Sequence, residues 1–218
     1  MSFKNLILLR TLYLIVGILG ALGWANGLSA QWAVGAELII SIPLNDFADV
    51  CDTGGGLALR GHYRARKFPF LSLRGDATFI TYEYQQHIEQ GYLVETRTQS
   101  IRFTVGPQFS VRVRRIELYL SSMYGMYNFF TREEIPYTIF SRTRGNNTEF
   151  GWNVNGGLLI DIARLPERSF DLALNLGGSW HTVPEGFITR IEVGGDPVDV
   201  KRDVEEIGIH AGLVLLFR

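Results

Sequence analysis

From Gln31 onward the apolar residues of the chain recur at every second position, not every third or fourth. That is the period of a β-strand, whose successive side chains point to opposite faces. In the first such segment Trp32, Val34, Ala36, Leu38, Ile40 and Ile42 share one face, opposite Ala33, Gly35, Glu37 and Ser41. The second sets Leu57, Leu59, Gly61 and Tyr63 against Ala58, Arg60, His62 and Arg64, and the third sets Leu71, Leu73, Gly75, Ala77 and Phe79 against Ser72, Arg74, Asp76 and Thr78. The fourth opposes Ile101, Phe103, Val105, Phe109, Val111 and Val113 to Arg102, Thr104, Gly106, Gln108, Ser110 and Arg112. Four more segments follow, around Leu118–Met126, Phe150–Ile162, Phe170–Trp180 and Ile207–Phe217. Each is long enough to cross a bilayer as a tilted strand of ~9–11 residues.

The connections alternate in length. Those near Lys67, Arg114 and Pro166 are short; those near Asp49, Glu89, Pro136 and Asp196 are long. An even-stranded, up-and-down barrel with short turns at one rim and long loops at the other has this alternation. In two of the long connections, Phe79 to Phe103 and Phe187 to Val204, the strand period continues almost to the turn, which predicts hairpins rising above the barrel. The fold class expected is therefore all-β, an eight-stranded antiparallel up-and-down barrel over residues 31–218.

Residues 1–30 read differently. Lys4 and Arg10 supply positive charge, an apolar run spans Thr11 to Trp24, and small residues follow at Ala25, Gly27, Ser29 and Ala30. This is the layout of a secretory signal peptide, with cleavage expected after Ala30 or after Gly27. An uncleaved anchor helix is the alternative, and Arg10 interrupts the apolar run it needs.

Alternation alone does not say which face points outward. A soluble, lipocalin-like barrel puts its apolar face inside, whereas a membrane barrel puts it against lipid. The polar faces carry Glu37, Arg60, Arg64, Arg74, Asp76, Arg102, Asp161 and Asp171 at mid-strand, where mixed charges can pair across a narrow lumen. Aromatic residues gather at segment ends. Trp32, Phe68, Phe70, Phe170 and Phe217 fall near the short turns; Phe79, Tyr82, Tyr84, Tyr127, Phe129, Phe150, Trp152 and Trp180 fall toward the long loops. Two such girdles are expected at the two interfaces of a membrane. With a secretion signal, these features favour the transmembrane barrel.

Composition narrows the function classes. The chain has 218 residues with 21 basic and 22 acidic side chains, so no whole-chain field draws it to nucleic acid. One cysteine, Cys51, excludes an internal disulfide framework and reads as a loop thiol of no special role. No amphipathic helix pattern competes with the strands.

The terminal stretch His210-Ala211-Gly212-Leu213-Val214-Leu215-Leu216-Phe217 resembles the C-terminal assembly signal of bacterial outer-membrane proteins, although Arg218 follows the aromatic residue that usually ends it. At the end of eight strand segments, it makes the mature chain resemble the small outer-membrane β-barrels of the OmpA/OmpX type. The resemblance implies residence in the outer membrane of a Gram-negative bacterium as a monomer. It also implies contact with outer-membrane lipid and lipopolysaccharide, and recognition of the last strand by the barrel-assembly machinery.

Chemistry is sparse. Some barrels of this size modify lipids with His and Ser near the outer rim, and here Ser179 and His181 share a face while His62 lies on another strand. The His-x-Ser order of the deacylases is not present, so no catalytic residue is assigned. Asp196, Asp199 and Asp203 fit no cation loop, and the glycine pairs at 156–157, 177–178 and 194–195 precede no helix, so no metal or cofactor is expected. Eight strands leave a lumen just wide enough for side chains to fill it. The lumen charges read first as an ion-pair plug and second as a narrow conduit for small solutes. The expected function is that of a non-enzymatic barrel, structural or interacting through its protruding hairpins, whose open edges can add an extracellular partner's strand.

Overall fold

The computed structural model describes residues 30–217, apart from 66, 83–84, 90–91, 135–140, 165–169 and 194–195. The signal-peptide reading, Tyr84 and Arg218 lie outside the described residues. Nine strands form among them: β1 (Ala30–Leu44), β2 (Gly54–Ala65), β3 (Leu71–Tyr82), β4 (Gln85–Glu89), β5 (Tyr92–Val113), β6 (Ile116–Glu134), β7 (Ser141–Arg164), β8 (Phe170–Val193) and β9 (Asp196–Phe217). A single helical turn, α1 (Asn45–Ala48), follows β1. All strand pairs are antiparallel. The sheet order β3-β2-β1-β9-β8-β7-β6-β5-β4 closes on itself through β3 and β5, so the barrel has eight walls. β4 lies above the wall, as the far side of a hairpin paired only with β5.

Closure leaves no edge within the wall, the condition a membrane imposes on any sheet that crosses it. The two faces separate by parity as the sequence predicts. Leu38 and Leu59 on the outside are 67% and 63% exposed, while Glu37 and Arg74 on the inside are 2% and 0% exposed. Trp32, Phe68, Phe70 and Phe217 ring the short-turn rim; Phe79, Phe150, Trp152 and Trp180 face outward toward the other rim.

Three aromatic assignments are corrected. Tyr82, Tyr127 and Phe129 do not join the outer girdle; they are 1%, 0% and 2% exposed and point into the barrel. Parity explains this. Tyr82 shares the even face of β3 with Arg74, and Tyr127 and Phe129 share the odd face of β6 with Ser121.

Lumen-facing glycines allow the walls to coil tightly. A Cβ at Gly125 would lie 1.9 Å from the Phe103 carbonyl oxygen, and one at Gly106 would lie 2.1 Å from that of Ser122. Next to Gly106 the β5–β6 ladder skips from Val105↔Tyr124 to Gln108↔Ser121, where Pro107 has no N–H to donate.

β5 to β9 each run 19–24 residues. At ~3.3 Å per residue the longest reach roughly 80 Å, and even tilted by ~35–45° they rise more than twice the ~25 Å apolar band of a membrane barrel. The strands that flank three of the four long connections thus rise as tall hairpins, and the β1–β2 connection does not. Above the wall they split: β4 to β7 stay paired, while the β7–β8 ladder stops at Trp152↔Thr182. A bulge turns β8 away there, its register jumping from Val183 to Phe187 across a segment holding Pro184 and the left-handed Glu185 (φ 52°).

Candidate functional site

Among the described residues, the interior is where the fold gathers chemistry-bearing side chains in number, and strand parity alone builds it. Ion pairs stack along it. Nearest the short turns, Arg112 meets Asp161 at 2.6 Å, and Arg64 pairs with Glu117 and donates to the Ser110 hydroxyl at 2.9 Å. At mid-height Arg74 clasps Asp76, its Nε donating to both carboxylate oxygens at 2.9 and 3.0 Å. Arg60 reaches Glu37 at 2.7 Å and lies 3.5 Å from Asp76. Both guanidinium groups sit 5.5 Å from the Tyr119 ring centroid, within the reach of a cation–π contact. Glu37 also accepts from Asn175 at 2.7 Å and faces His210 Nδ1 at 3.2 Å. Higher still, Arg102 pairs with Glu206, which accepts from the Tyr82 hydroxyl at 2.6 Å.

Arg60, Arg64, Arg74, Arg102 and Arg112, with the carboxylates Glu37, Asp76, Glu117 and Asp161, therefore lie on the face that the sequence pattern predicts. Glu206 is the addition. It sits one residue before the segment the sequence delimits, but on the parity of Gly208 and His210, which is the available signal.

The pairs fill the barrel. Between Arg74 and His181 the remaining space is a cavity of about 20 Å³, which is the room of one water molecule. Ser179 and His181 meet at its edge, with 2.8 Å between Oγ and Nε2, while His181 Nδ1 faces the Tyr127 hydroxyl at 3.1 Å. A nucleophile and base at hydrogen-bond distance need a place for the acyl group as well, and this cavity offers none. His62 is not brought to them. It lines a separate vestibule of about 280 Å³ at the short-turn end, with Arg64, Arg112 and Glu117.

The long-hairpin end is closed differently. The β1–β2 connection folds inward and seats Phe47, fully buried, against Tyr82 (centroids 5.2 Å apart) and Phe129 (5.9 Å). Cys51, Ile80, Tyr127, Val183 and Val204 complete this apolar cap. Arg202 holds the folded connection at 3.5 Å from Asp49, and Asn45 donates to Glu205. Cys51 is thus a cap residue as well as a loop thiol, and burial pushes its pKa up to about 12. Asp203 accepts from the Glu185 backbone N–H at 2.8 Å; the Asp196 and Asp199 side chains lie outside the described residues. Among the described residues no His, Cys, Asp and Glu cluster has the makings of a metal site.

No protein-family model matches the chain, and no curated protein does. Solved structures do. Neisserial surface protein A (NspA) aligns over 84% of this chain and 96% of its own, at 12% identity and a TM-score of 0.50. A major outer-membrane protein of Thermus thermophilus aligns over 87% and 100%, at 12% identity and 0.49. OprG of Pseudomonas aeruginosa aligns over 88% and 97%, at 11% identity and 0.48. At such identities the likeness is one of fold. With its apolar belt outside and paired charges inside, this is the fold of a β-barrel spanning the bacterial outer membrane.

Proposed function

We propose that this chain is a non-enzymatic, non-conducting outer-membrane barrel that presents its protruding hairpins as a contact surface. One observation carries the reading: above the short-turn vestibule the lumen is closed, by ion pairs at mid-height and by the Phe47 cap at the long-hairpin end, while β5 to β9 extend far beyond the apolar belt. Charges paired this tightly have no freedom to escort a solute, and a cavity of about 20 Å³ admits none larger than water. Among the described residues, the upper backbone edges, β7 above Gly151 and β8 above the bulge, have no ladder between them, so an extended segment of another protein can pair there.

Planar-bilayer recording of the refolded protein tests this. The expected trace shows no stable conductance steps above that of the bare membrane. A reproducible, long-lived conductance in the unmodified protein overturns the reading in favour of a narrow channel.

A further inference from the structure

We propose that the outer wall carries a lipid site, a groove that holds one acyl chain of a bilayer lipid. The groove is a shallow depression, open to the bilayer, of about 820 Å³. Its floor is the bare backbone of two glycines, flanked in register by Val34 of β1 and Val105 of β5. Gly61 on β2 and Gly75 on β3 are directly opposite each other in register, both on the lipid-facing parity. Its walls are Leu59 on one side and Phe103, Tyr124 and Phe150 on the other. Tyr124 and Phe150 stack at 5.7 Å with their planes 13° apart, which gives that wall a flat side.

The two glycines have no internal reason to be glycine. A Cβ at Gly61 would meet nothing nearer than 4.0 Å, and one at Gly75 nothing nearer than 3.8 Å. Gly125 and Gly106, on lumen faces, would collide with backbone at 1.9 and 2.1 Å. A glycine in a strand interior weakens the strand and often marks close approach by something outside it. Here the space above both lies in the apolar belt, continuous with Leu59 and Phe103, which are 63% and 52% exposed. Inside a bilayer such a depression holds neither water nor vacuum, so hydrocarbon fills it. A chain lying against bare backbone between an aromatic wall and Leu59 touches protein on three sides, whereas a chain on the convex remainder of the belt touches it on one. Dispersion contacts sum over partner atoms, so the groove retains its chain longer than the rest of the belt does.

The test uses the whole protein refolded into phosphatidylcholine vesicles that contain a phosphatidylcholine with a diazirine midway along one acyl chain. After illumination the labelled peptides are mapped by mass spectrometry. Labelling per exposed area is expected to be several-fold higher in residues 57–77 and 101–126 than around Gly156 and Gly178, the bare glycine pair of β7 and β8. Gly75→Leu fills the groove and should bring the two regions level, with folding checked by heat-modifiable gel migration. Gly61→Val serves the same purpose should the first variant fail that check. Even labelling of the parent protein overturns the site. So does enrichment that survives both substitutions. Loss of labelling from residues 57–77 and 101–126 as the protein-to-lipid ratio is raised would assign the groove to a second copy of the chain and overturn the lipid reading as well.

Discussion

At the scale of single residues, the interior is a set of charges that need one another. Arg74 is fully buried, and Asp76 supplies its counter-charge. Removing one partner of a buried pair costs about 3–5 kcal/mol, whereas removing both is often close to neutral. Asp76→Ala should therefore lower the urea unfolding midpoint, and Asp76→Ala with Arg74→Met should recover much of it; additive losses in the double variant would mean that the two groups see water rather than each other. Cys51 makes a second residue-level case. Its thiol is buried in the cap, and its pKa is raised from 9.0 to about 12. The folded state thus holds a proton that the unfolded chain releases, so this contribution to stability is complete below pH 9 and is lost as pH rises through about 12. A maleimide at neutral pH should label Cys51 slowly in the folded protein and rapidly after unfolding, and equal rates would place the thiol outside the cap. The glycines separate by the same kind of argument. Gly75→Ala brings a methyl no nearer than 3.8 Å to any protein atom and should stabilise by roughly 0.5–1 kcal/mol, the backbone-entropy cost of a strand glycine. Gly125→Ala forces its Cβ into the Phe103 carbonyl and should destabilise by about 1–3 kcal/mol.

At the scale of elements, parity decides which face each strand turns to lipid. Leu174 on β8 lies between Ile160 of β7 and Leu213 of β9 on the outer face. A cation near the bilayer midplane costs ~2–4 kcal/mol in such barrels, so Leu174→Arg should reduce the heat-modifiable folded fraction, and wild-type assembly of this variant would mean that Leu174 does not face lipid. Parity is also what the sequence displays most clearly. It places Glu37, Arg60, Arg74 and Arg102 inside, and Leu38, Leu59 and Phe103 outside, because one slip of register would invert a whole strand. Tyr82, Tyr127 and Phe129 show what happens when another rule is set above it. Their position at segment ends suggests interface aromatics, yet their parity is that of the lumen, and parity wins. The cap is a different matter. Phe47 reaches Tyr82 and Phe129 because the β1–β2 connection folds back through the left-handed Asn45 (φ 50°) and one helical turn. No periodicity in residues 45–53 announces an inward fold, so this contact is not legible in the sequence. Nor are the pairings themselves. Arg64 with Glu117 and Arg102 with Glu206 join residues 53 and 104 positions apart, and strand parity gives the face without giving the height at which two charges meet.

At the scale of the whole molecule, the two ends of the barrel are unlike, and that asymmetry fixes how it sits in the membrane. One end has the two-residue turn at Arg114–Arg115 and the tight turn near Lys67, with an open vestibule of about 280 Å³ behind them. The other carries hairpins that rise tens of ångströms above the belt and a cap that closes the lumen. In outer-membrane barrels the short turns stay on the periplasmic side and the longer loops lie outside the cell. Single cysteines placed in a Cys51→Ser background read this out directly. With a membrane-impermeant maleimide on intact cells, Arg142→Cys and Asp196→Cys at the hairpin ends should label at once. Lys67→Cys should label only after the outer membrane is permeabilised. The result bears on the proposed contact surface as well, since the upper edges of β7 and β8 meet a partner from another cell or from the medium only if they stand outside. Labelling of Lys67→Cys on intact cells, with protection of Arg142→Cys and Asp196→Cys, would invert the barrel and turn the hairpins to the periplasm, where no surface contact can reach them.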